Sequence, residues 1–201
     1  LASSDGEITD MRNPVSREFD QPGFQSGSIF TDTTISVGDK HLCTILDDTK
    51  LSCWGDNSFG QLGDGTNSDR MLLTEVSLDE SRTALSISSG KDHTCAILDN
   101  GELQCWGRND YGQLGDGTVS HSSVPVEASL SEFPVQLSSG DYHTCAILDD
   151  ATIKCWGRNN YGQLGDGTNS DSSDPVAVAS PPGEKFLAIS TGANHTCAIT
   201  S

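Results

Sequence analysis

The sequence is poor in basic residues. It contains 11 lysines and arginines against 29 aspartates and glutamates, which gives a formal net charge of −18. Nucleic-acid binding depends on clustered basic side chains that neutralise phosphates, so this chain would repel a phosphate backbone. Anionic membrane surfaces are disfavoured for the same reason. We therefore expect no nucleic-acid partner, whereas the negative charge suits solubility or a basic partner.

Long apolar runs are also missing. No stretch approaches the roughly 18 apolar residues that a membrane-spanning helix requires, so we expect no membrane span. The chain starts with Leu1 rather than methionine. We therefore expect a processed protein or a piece of a longer one, with no signal peptide left to see.

Cysteines are present in number, and their positions are regular. Three pairs have a spacing of ten positions, and the first cysteine of each group recurs at steps of 52 (43 to 95), 50 (95 to 145) and 52 (145 to 197). Cys197 has no partner, since the matching position, 207, lies past the last residue. Such a fixed period indicates a repeat architecture. The pairs are Cys43 and Cys53, Cys95 and Cys105, and Cys145 and Cys155.

Other residue types recur in step with the cysteines. The unit reads approximately H-T-C-A-I-L-D, then C-W-G-x-N-x-Y-G-Q-L-G-D-G-T, then a variable stretch that often ends in Pro-Val. The recurring positions are His41, His93, His143 and His195, then Trp54, Trp106 and Trp156, then Gln61, Gln113 and Gln163.

The unit has the pattern of a β-hairpin. In the stretch HTCAILDNGELQCWG, Asp99, Asn100 and Gly101 separate two short β-rich runs, and Asn-Gly between such runs is a strong hairpin signal. A turn centred on Asn100 places Cys95 opposite Cys105. Opposite residues of an antiparallel pair have Cβ atoms about 4.5–5.5 Å apart, close to disulfide reach, with the shorter non-hydrogen-bonded pairing favoured. The same geometry applies to the other two pairs.

Two further strands flank each hairpin. One precedes it (85–90, 135–140 and 186–192), and one follows the long loop (124–130 and 174–180). Four short strands in each unit of about fifty residues are typical of a β-propeller blade. We predict an all-β protein of four-stranded antiparallel blades, about three and a half in this chain. The predicted blades span 35–84, 85–134, 135–185 and a partial 186–201, after a non-repeat segment 1–34.

The repeated unit resembles the regulator of chromosome condensation repeat, over residues 35–201. Members of that family are similar in being seven-bladed β-propellers. Kelch blades carry a Gly-Gly doublet, which is absent from this sequence, and WD-type blades lack the Cys-Trp-Gly pattern. The resemblance implies guanine nucleotide exchange on a small nuclear GTPase and chromatin binding as the family's known activity.

Residues that recur in every blade are predicted to be scaffold, because a catalytic site needs one convergent constellation. We expect the tryptophans to fill the space between blades, the glutamines to satisfy buried backbone groups, and the histidines to hydrogen-bond a neighbouring strand or loop. Glycines of the motif, such as Gly60 and Gly63, are expected to have backbone angles that a Cβ would forbid.

The cysteine pairs have two interpretations. As disulfides they close the central hairpin of each blade and imply an oxidising compartment, so we predict an extracellular or cell-surface protein, with the periplasm as an alternative. As metal ligands, His93, Cys95 and Cys105 could hold zinc with a fourth group, although the usual Cys-x₂₋₄-Cys spacing is absent. We predict no cofactor. Calcium is the alternative, because DGTNSD (64–69 and 166–171) clusters oxygen ligands.

The variable positions are where we expect binding. Exposed apolar and arginine side chains on propeller loops are plausible contact anchors. Arg108 and Arg158 stand where the first copy has Asp56, and Lys91 lies near the repeated histidine. The candidate binding residues are Arg70, Met71, Leu72, Leu73, Val119, His121 and Tyr142.

Three and a half blades leave three alternatives open. The chain is a fragment of a longer protein, or two copies associate to complete a ring, or residues 1–34 supply strands. An unclosed propeller exposes a sheet edge and an apolar face. We also expect 1–34 to lie along a blade edge or on another subunit.

The predicted function is binding without catalysis, as a secreted or surface module for a protein or glycan partner or as an assembly subunit. A nucleotide-exchange regulator of a small GTPase is the first alternative. A hydrolase on a propeller scaffold is the second, although no catalytic constellation stands apart from the repeats.

Overall fold

The structure is a computed structural model, which describes residues 35–46, 50–79, 81–180 and 183–201. The predictions for 1–34 lie outside these residues. The described residues form fourteen β-strands: β1 Ile35–Val37, β2 His41–Ile45, β3 Leu51–Gly55, β4 Arg70–Glu75, β5 Ala84–Ser89, β6 His93–Leu98, β7 Leu103–Gly107, β8 Ser122–Glu127, β9 Pro134–Ser139, β10 His143–Leu148, β11 Ile153–Gly157, β12 Ser172–Ala177, β13 Phe186–Thr191 and β14 Thr196–Thr200.

The strands form three four-stranded sheets and one two-stranded sheet. Blade 1 has the order β1-β2-β3-β4, blade 2 β5-β6-β7-β8, blade 3 β9-β10-β11-β12, and blade 4 β13-β14. All pairings are antiparallel between strands that follow each other in the chain. The predicted all-β fold with three full blades and a partial fourth is confirmed.

The central hairpins have the predicted register. Cys43 pairs with Cys53, Cys95 with Cys105, and Cys145 with Cys155. Each pair is a disulfide with its Cα atoms 4.0–4.1 Å apart, which corresponds to the close, non-hydrogen-bonded pairing. Cys197 has a free, exposed thiol. Because the paired sulfurs are bonded to each other, they are not thiolate ligands for zinc in this state.

The predicted outer strands are present, but their bounds are shifted towards the N-terminus. The sequence placed them at 124–130 and 174–180, but β8 spans Ser122–Glu127 and β12 spans Ser172–Ala177. The cause is a bulge: Ser122 pairs with Gly107 and Val126 with Cys105, so the outer strand has extra residues that a regular alternation does not reveal. The inner strands β5 and β9 begin at Ala84 and Pro134, one residue before the predicted blade boundaries.

The hydrophobic core lies between the blades. Trp106 of blade 2 packs in one buried cluster with Leu51, Leu62 and Val76 of blade 1. Trp156 of blade 3 packs in the same way against blade 2. Both indoles are fully buried between neighbouring blades. Trp54, in blade 1, is partly exposed.

Equivalent positions differ in burial at the two ends of the blade series. Ile35 of blade 1 is 54% exposed, whereas Ile87, at the same register position of blade 2, is 2% exposed. Ile199 of blade 4 is 62% exposed, whereas Ile97 is 1% exposed. The first and last blades therefore present apolar surface that an adjacent blade covers elsewhere. Within the described residues there is no helix that could cross a bilayer.

Candidate binding face

Two sets of loops meet at one end of the sheets. In an antiparallel meander, the turn after the first strand and the loop after the third strand leave from the same end. We call this end the upper face; it is formed by residues 38–40, 56–69, 90–92, 108–121, 140–142, 158–171 and 192–195. The inner turns are joined across blades, since Lys91 N–H donates to the Asp141 carbonyl and Asp141 N–H to the Ala193 carbonyl.

A buried asparagine organises each long loop. The Asn57 side chain donates to Asp64 and to the Thr66 and Ser68 carbonyls, and it accepts the Leu62 N–H at 3.0 Å. These asparagines were not among the predicted site residues, although each copy of C-W-G-x-N contains one. The equivalent residues, Asn109 and Asn159, are also fully buried.

The D-G-T turns are held by local hydrogen bonds. Asp64 accepts the Thr66 N–H at 2.9 Å and the Arg70 Nε–H at 2.7 Å. Burial acts to raise the pKa of Asp64, but hydrogen bonds from Thr66, Arg70 and Asn57 outweigh it and lower the pKa. These carboxylate oxygens therefore already have protein partners. Calcium binding at this turn stays a prediction of the sequence.

Two glycine positions of the motif allow the blades to approach closely. Gly112 has φ +80°, and a Cβ there would overlap the Ser173 backbone of the next blade. Gly115 has φ +74°, and a Cβ there would lie 2.7 Å from Trp156 Nε1. Positive φ and the lack of a side chain are both needed, which confirms the expectation for these motif glycines.

The repeated histidines form hydrogen bonds between blades. His93 Nε2 lies 3.0 Å from Thr144 Oγ1, and that hydroxyl donates to the Gln113 carbonyl at 3.0 Å. Because the threonine's single hydrogen goes to the carbonyl, Nε2 must donate, and Nδ1 is the unprotonated nitrogen. The same bonds join His41 to Thr94 and His143 to Thr196, whereas His195 is exposed. Three of the four repeated histidines thus hydrogen-bond a neighbouring blade.

Burial keeps these imidazoles neutral. Burial is the main cause that lowers the pKa of His93 to about 3, and the neighbouring His41 and His143 contribute to that shift. The pKa values of His41 and His143 are lowered to about 4, mainly by burial. The Nδ1 atoms of all three have no hydrogen-bond partner among the described residues.

The side-chain oxygens of the repeated glutamines accept hydrogen bonds from backbone N–H groups, whereas their side-chain nitrogens donate none to the described residues. Gln113 Oε1 accepts the Tyr111 N–H at 3.0 Å, and its backbone carbonyl accepts Trp156 Nε1–H at 2.9 Å. Gln61 makes the same contacts with Phe59 and Trp106, and Gln163 Oε1 accepts the Tyr161 N–H. Each Nε2 is buried and finds no partner in the part of the chain that the structure describes.

Arg108 is the centre of an aromatic and acidic cluster on the upper face. Its guanidinium lies 4.7 Å from the Phe59 ring centroid and 5.2 Å from that of Tyr142. It donates to Asp92 at 3.1 Å and to Asp110 at 2.5 Å. Partial burial acts against its charge, but the hydrogen bonds to Asp110 and Asp92 prevail and raise the pKa of Arg108.

Arg158, the equivalent residue of blade 3, lies among three tyrosines. The distances from its guanidinium carbon to the ring centroids are 5.3 Å for Tyr111, 5.8 Å for Tyr142 and 5.7 Å for Tyr161. Such distances are within the range of cation–π attraction. Lys91 Nζ lies 5.6 Å from the Tyr142 centroid. The predicted binding residue Tyr142 is thus in contact with three cations.

The other predicted binding residues lie apart from this cluster or have local contacts. His121 Nδ1 accepts the Asn109 N–H at 2.9 Å, as Asp69 does for Asn57, so His121 has a scaffold contact as well as an exposed edge. Val119 is 62% exposed on the upper face. Arg70 is paired with Asp64. Met71, Leu72 and Leu73 are 97%, 79% and 53% exposed on the outer strand β4.

An open cavity of about 330 Å³ lies where the inner turns converge. Its charged lining residues are Asp39, Lys91 and Asp141, and most of the rest is glycine and small residues. Lys91 also borders the tyrosine cluster, so the cavity and the cluster are neighbouring parts of the upper face. Across the described residues, no three His, Cys, Asp or Glu side chains are grouped to hold a metal ion.

These features define a β-propeller whose repeated residues join the blades and whose changing residues lie on exposed loops. The description "Regulator of chromosome condensation (RCC1) repeat" belongs to two family models that match the chain. One covers residues 50–97, 100–147 and 155–199, and the other covers 33–61, 85–113 and 135–163. The chain belongs to the RCC1 repeat family.

Two curated relatives match part of the chain. The ultraviolet-B receptor UVR8 of Arabidopsis thaliana is 33% identical over 91 residues, 45% of this chain and 21% of that protein. The X-linked retinitis pigmentosa GTPase regulator homolog of Caenorhabditis elegans is 33% identical over 92 residues, 46% of this chain and 6% of that protein. The chain thus matches about a fifth or less of the length of these relatives.

Among solved structures, yeast RCC1 (Prp20), in a complex with Kap60, matches with a TM-score of 0.76. The identity is 19%, and the match covers 83% of this chain and 41% of that chain. At this identity the likeness shows the shared propeller fold.

Proposed function

We propose that this chain is a secreted or cell-surface binding module without catalytic activity, and that its upper face binds a protein partner. One observation carries the proposal: the buried repeated residues form contacts between blades, whereas cations at changing positions, Lys91, Arg108 and Arg158, collect around Tyr142 on the upper face, beside the tyrosines of the motif. Tyr161 is 69% and Val119 62% exposed there. Tyrosine and arginine are enriched among residues that dominate protein–protein binding.

Binding through the upper face can be tested with matched variants. The disulfide-bonded chain would be immobilised, bound extracellular proteins identified by mass spectrometry, and one purified partner titrated in solution. We expect Lys91→Glu with Val119→Arg to weaken that partner about tenfold or more, as for contacts near the centre of an interface. Arg82→Gln is the control, because Arg82 pairs with Asp99 at the opposite end of the sheets. A partner that is insensitive to the upper-face change contradicts the proposal.

The location is proposed from the disulfides. Three bonded pairs in one short chain are typical of proteins from oxidising compartments. Thiol titration of the denatured protein, isolated from its source with free thiols blocked, should find one reactive thiol, that of Cys197. Seven thiols would place the protein in a reducing compartment and contradict this part of the proposal.

GTPase regulation is the second candidate, favoured by the relative named as a GTPase regulator homolog. Accelerated nucleotide release from a small GTPase, abolished by Lys91→Glu with Val119→Arg, would support it in place of the first. The hydrolase alternative receives no support from the repeated histidines. His41, His93 and His143 are buried and hydrogen-bonded to threonines, so they are not accessible to a substrate.

A further inference from the structure

We infer that Arg158 and the three tyrosines around it form a binding site for a carboxylate carried by an Asp or Glu side chain of a partner protein. We call this group, Arg158 with Tyr111, Tyr142 and Tyr161, the tyrosine cage. The inference rests on the proposed function, since the cage is part of the upper face, and it specifies the chemical group that this part of the face binds.

The neighbouring blade shows what a filled version of the cage looks like. Arg108 and Arg158 occupy the same repeat position, directly after C-W-G. Arg108 is neutralised by two carboxylates of its own chain, Asp92 and Asp110. In blade 3 the equivalents of these two aspartates are Tyr142, which precedes the repeated histidine, and Asn160, which follows the buried asparagine. Blade 3 thus keeps the arginine and has lost both acids.

The Arg158 guanidinium consequently lacks an anionic partner. It forms no ion pair with any described residue, and its Nε is inaccessible to solvent without a hydrogen-bond partner. Arginine carries five N–H donors and stays protonated, so a partly buried, unpaired guanidinium is costly. In a chain with a formal charge of −18, an arginine kept away from carboxylates is available to an external one.

The ligand chemistry follows from the cage and from the overall charge. A carboxylate fits a guanidinium with two parallel hydrogen bonds, and Asp92 and Asp110 show that this surface accepts carboxylates. Polyanions such as nucleic acids or sulfated glycans would meet the repulsion of the whole acidic chain, which grows with the charge of the ligand. A single carboxylate beside an aromatic or apolar side chain, packed on the exposed Tyr161 ring, is favoured.

A pair of isosteric probes tests the site. N-acetyl-Trp-Glu-amide and N-acetyl-Trp-Gln-amide differ only in the carboxylate, and binding can be followed by the NMR signal of the Arg158 side-chain Nε–H. We expect the Glu probe to shift this signal and to bind about tenfold more tightly than the Gln probe, as for a charge-assisted hydrogen bond. Equal binding of the two probes overturns the inference.

Two variants, Arg158→Gln and Asn160→Asp, test whether the preference for the Glu probe arises at the tyrosine cage. Arg158→Gln should remove the preference for the Glu probe. Asn160→Asp restores the carboxylate found in blade 2 at an exposed residue, so it should occupy the cage from within and weaken the Glu probe about tenfold while leaving the Gln probe unchanged. Arg82→Gln removes the same charge at the opposite end of the sheets and should change neither probe.

The outcomes separate this inference from the proposed function. If a purified partner is lost with Lys91→Glu and Val119→Arg but binds Arg158→Gln and Asn160→Asp as well as the parent chain, the carboxylate site is wrong and the binding face stands. If no partner depends on the upper face, the proposed function fails. The probe pair tests the cage by itself in that case.

Discussion

At the scale of the residue, the histidine–threonine–carbonyl bonds explain why a titratable side chain recurs in a buried place. In each of the three buried copies, the imidazole donates across a blade boundary and leaves Nδ1 without a partner. Protonation of Nδ1 would place a positive charge in the core, and the new N–H would have no hydrogen-bond acceptor among the described residues. The neutral form is therefore part of the fold.

This arrangement makes the stability depend on pH. The folded pKa of His93 is about 3 and those of His41 and His143 about 4, below the unfolded value of 6.5. The unfolded state thus binds more protons below pH 6.5, so the stabilisation is complete above that pH and is lost as the pH falls towards 4. We expect urea unfolding to give a free energy that already decreases between pH 6.5 and 5, above the range where carboxylates titrate. A constant value across this interval would contradict the prediction.

The glycine three residues before each repeated histidine is predicted to be required because a Cβ there would overlap the histidine ring. The glycines of the D-G-T turns are instead required for their positive φ. A Cβ on Gly140 would overlap the His143 ring and lie 2.5 Å from the Gly192 carbonyl oxygen. Gly167 has φ +83° but nothing within 4 Å of its Cβ position. We expect Gly140→Ala to cost about 3 kcal/mol through overpacking and Gly167→Ala about 1 kcal/mol through backbone strain alone. Chemical denaturation with the disulfides intact measures both, and equal costs would show that the predicted overlap is relieved.

At the scale of the element, the outer strands differ in how their free edge is protected. Pro125 and Pro175 occupy the same position in β8 and β12, and proline presents no N–H to another strand. Their equivalent in β4 is Leu73. Since two blades keep their sheet with proline there, the Leu73 N–H is not needed within the blade. With Met71 and Leu72 also exposed, β4 is an unprotected, apolar edge.

Leu73→Pro should therefore protect this edge. We expect the variant to keep its fold and to aggregate less on incubation just below its unfolding temperature, as followed by light scattering. Leu73→Ala is the matched variant: it removes the apolar side chain but keeps the N–H, so its aggregation should lie between the two. A Leu73→Pro chain that aggregates as readily as the parent would show that β4 is not the edge that pairs.

At the scale of the whole molecule, the first and last described blades expose apolar side chains at positions that are buried in the other blades. Ile35 and Ile199 are more than half exposed at positions that other blades bury. Apolar surface of this kind is favourably removed from water by a second copy. This is the surface that the self-association alternative requires.

The 201-residue chain is therefore expected to associate in solution. Light scattering coupled to size exclusion should give a mass that rises above 21.2 kDa with concentration. Ile35→Ser together with Ile199→Ser should lower that mass, whereas Val119→Ser, on the upper face, should not. A mass that stays at 21.2 kDa at every concentration would be evidence against association through the end blades.

The sequence by itself determined the repeat and its local pairing. The spacing of ten between cysteines about a turn centred on its middle residue places the two cysteines opposite each other, so the hairpins and disulfides could be predicted. The tryptophans and histidines recur once per blade, so a role at the contacts between blades could be predicted for them as well. The outer strands were predicted, but their bounds were not, because the bulge beside Gly107 changes the register without a sequence signal.

Which upper-face residues meet could be learned only from the tertiary structure. Tyr142 and Tyr161 belong to the same blade as Arg158, whereas Tyr111 belongs to blade 2 and reaches Arg158 because one blade packs on the next. The sequence shows Asp92 and Asp110 replaced by Tyr142 and Asn160 in the next repeat, but it does not show that these positions surround the arginine. The tertiary structure determines that, because charge and cation–π interactions act through space over a few ångströms and not along the chain.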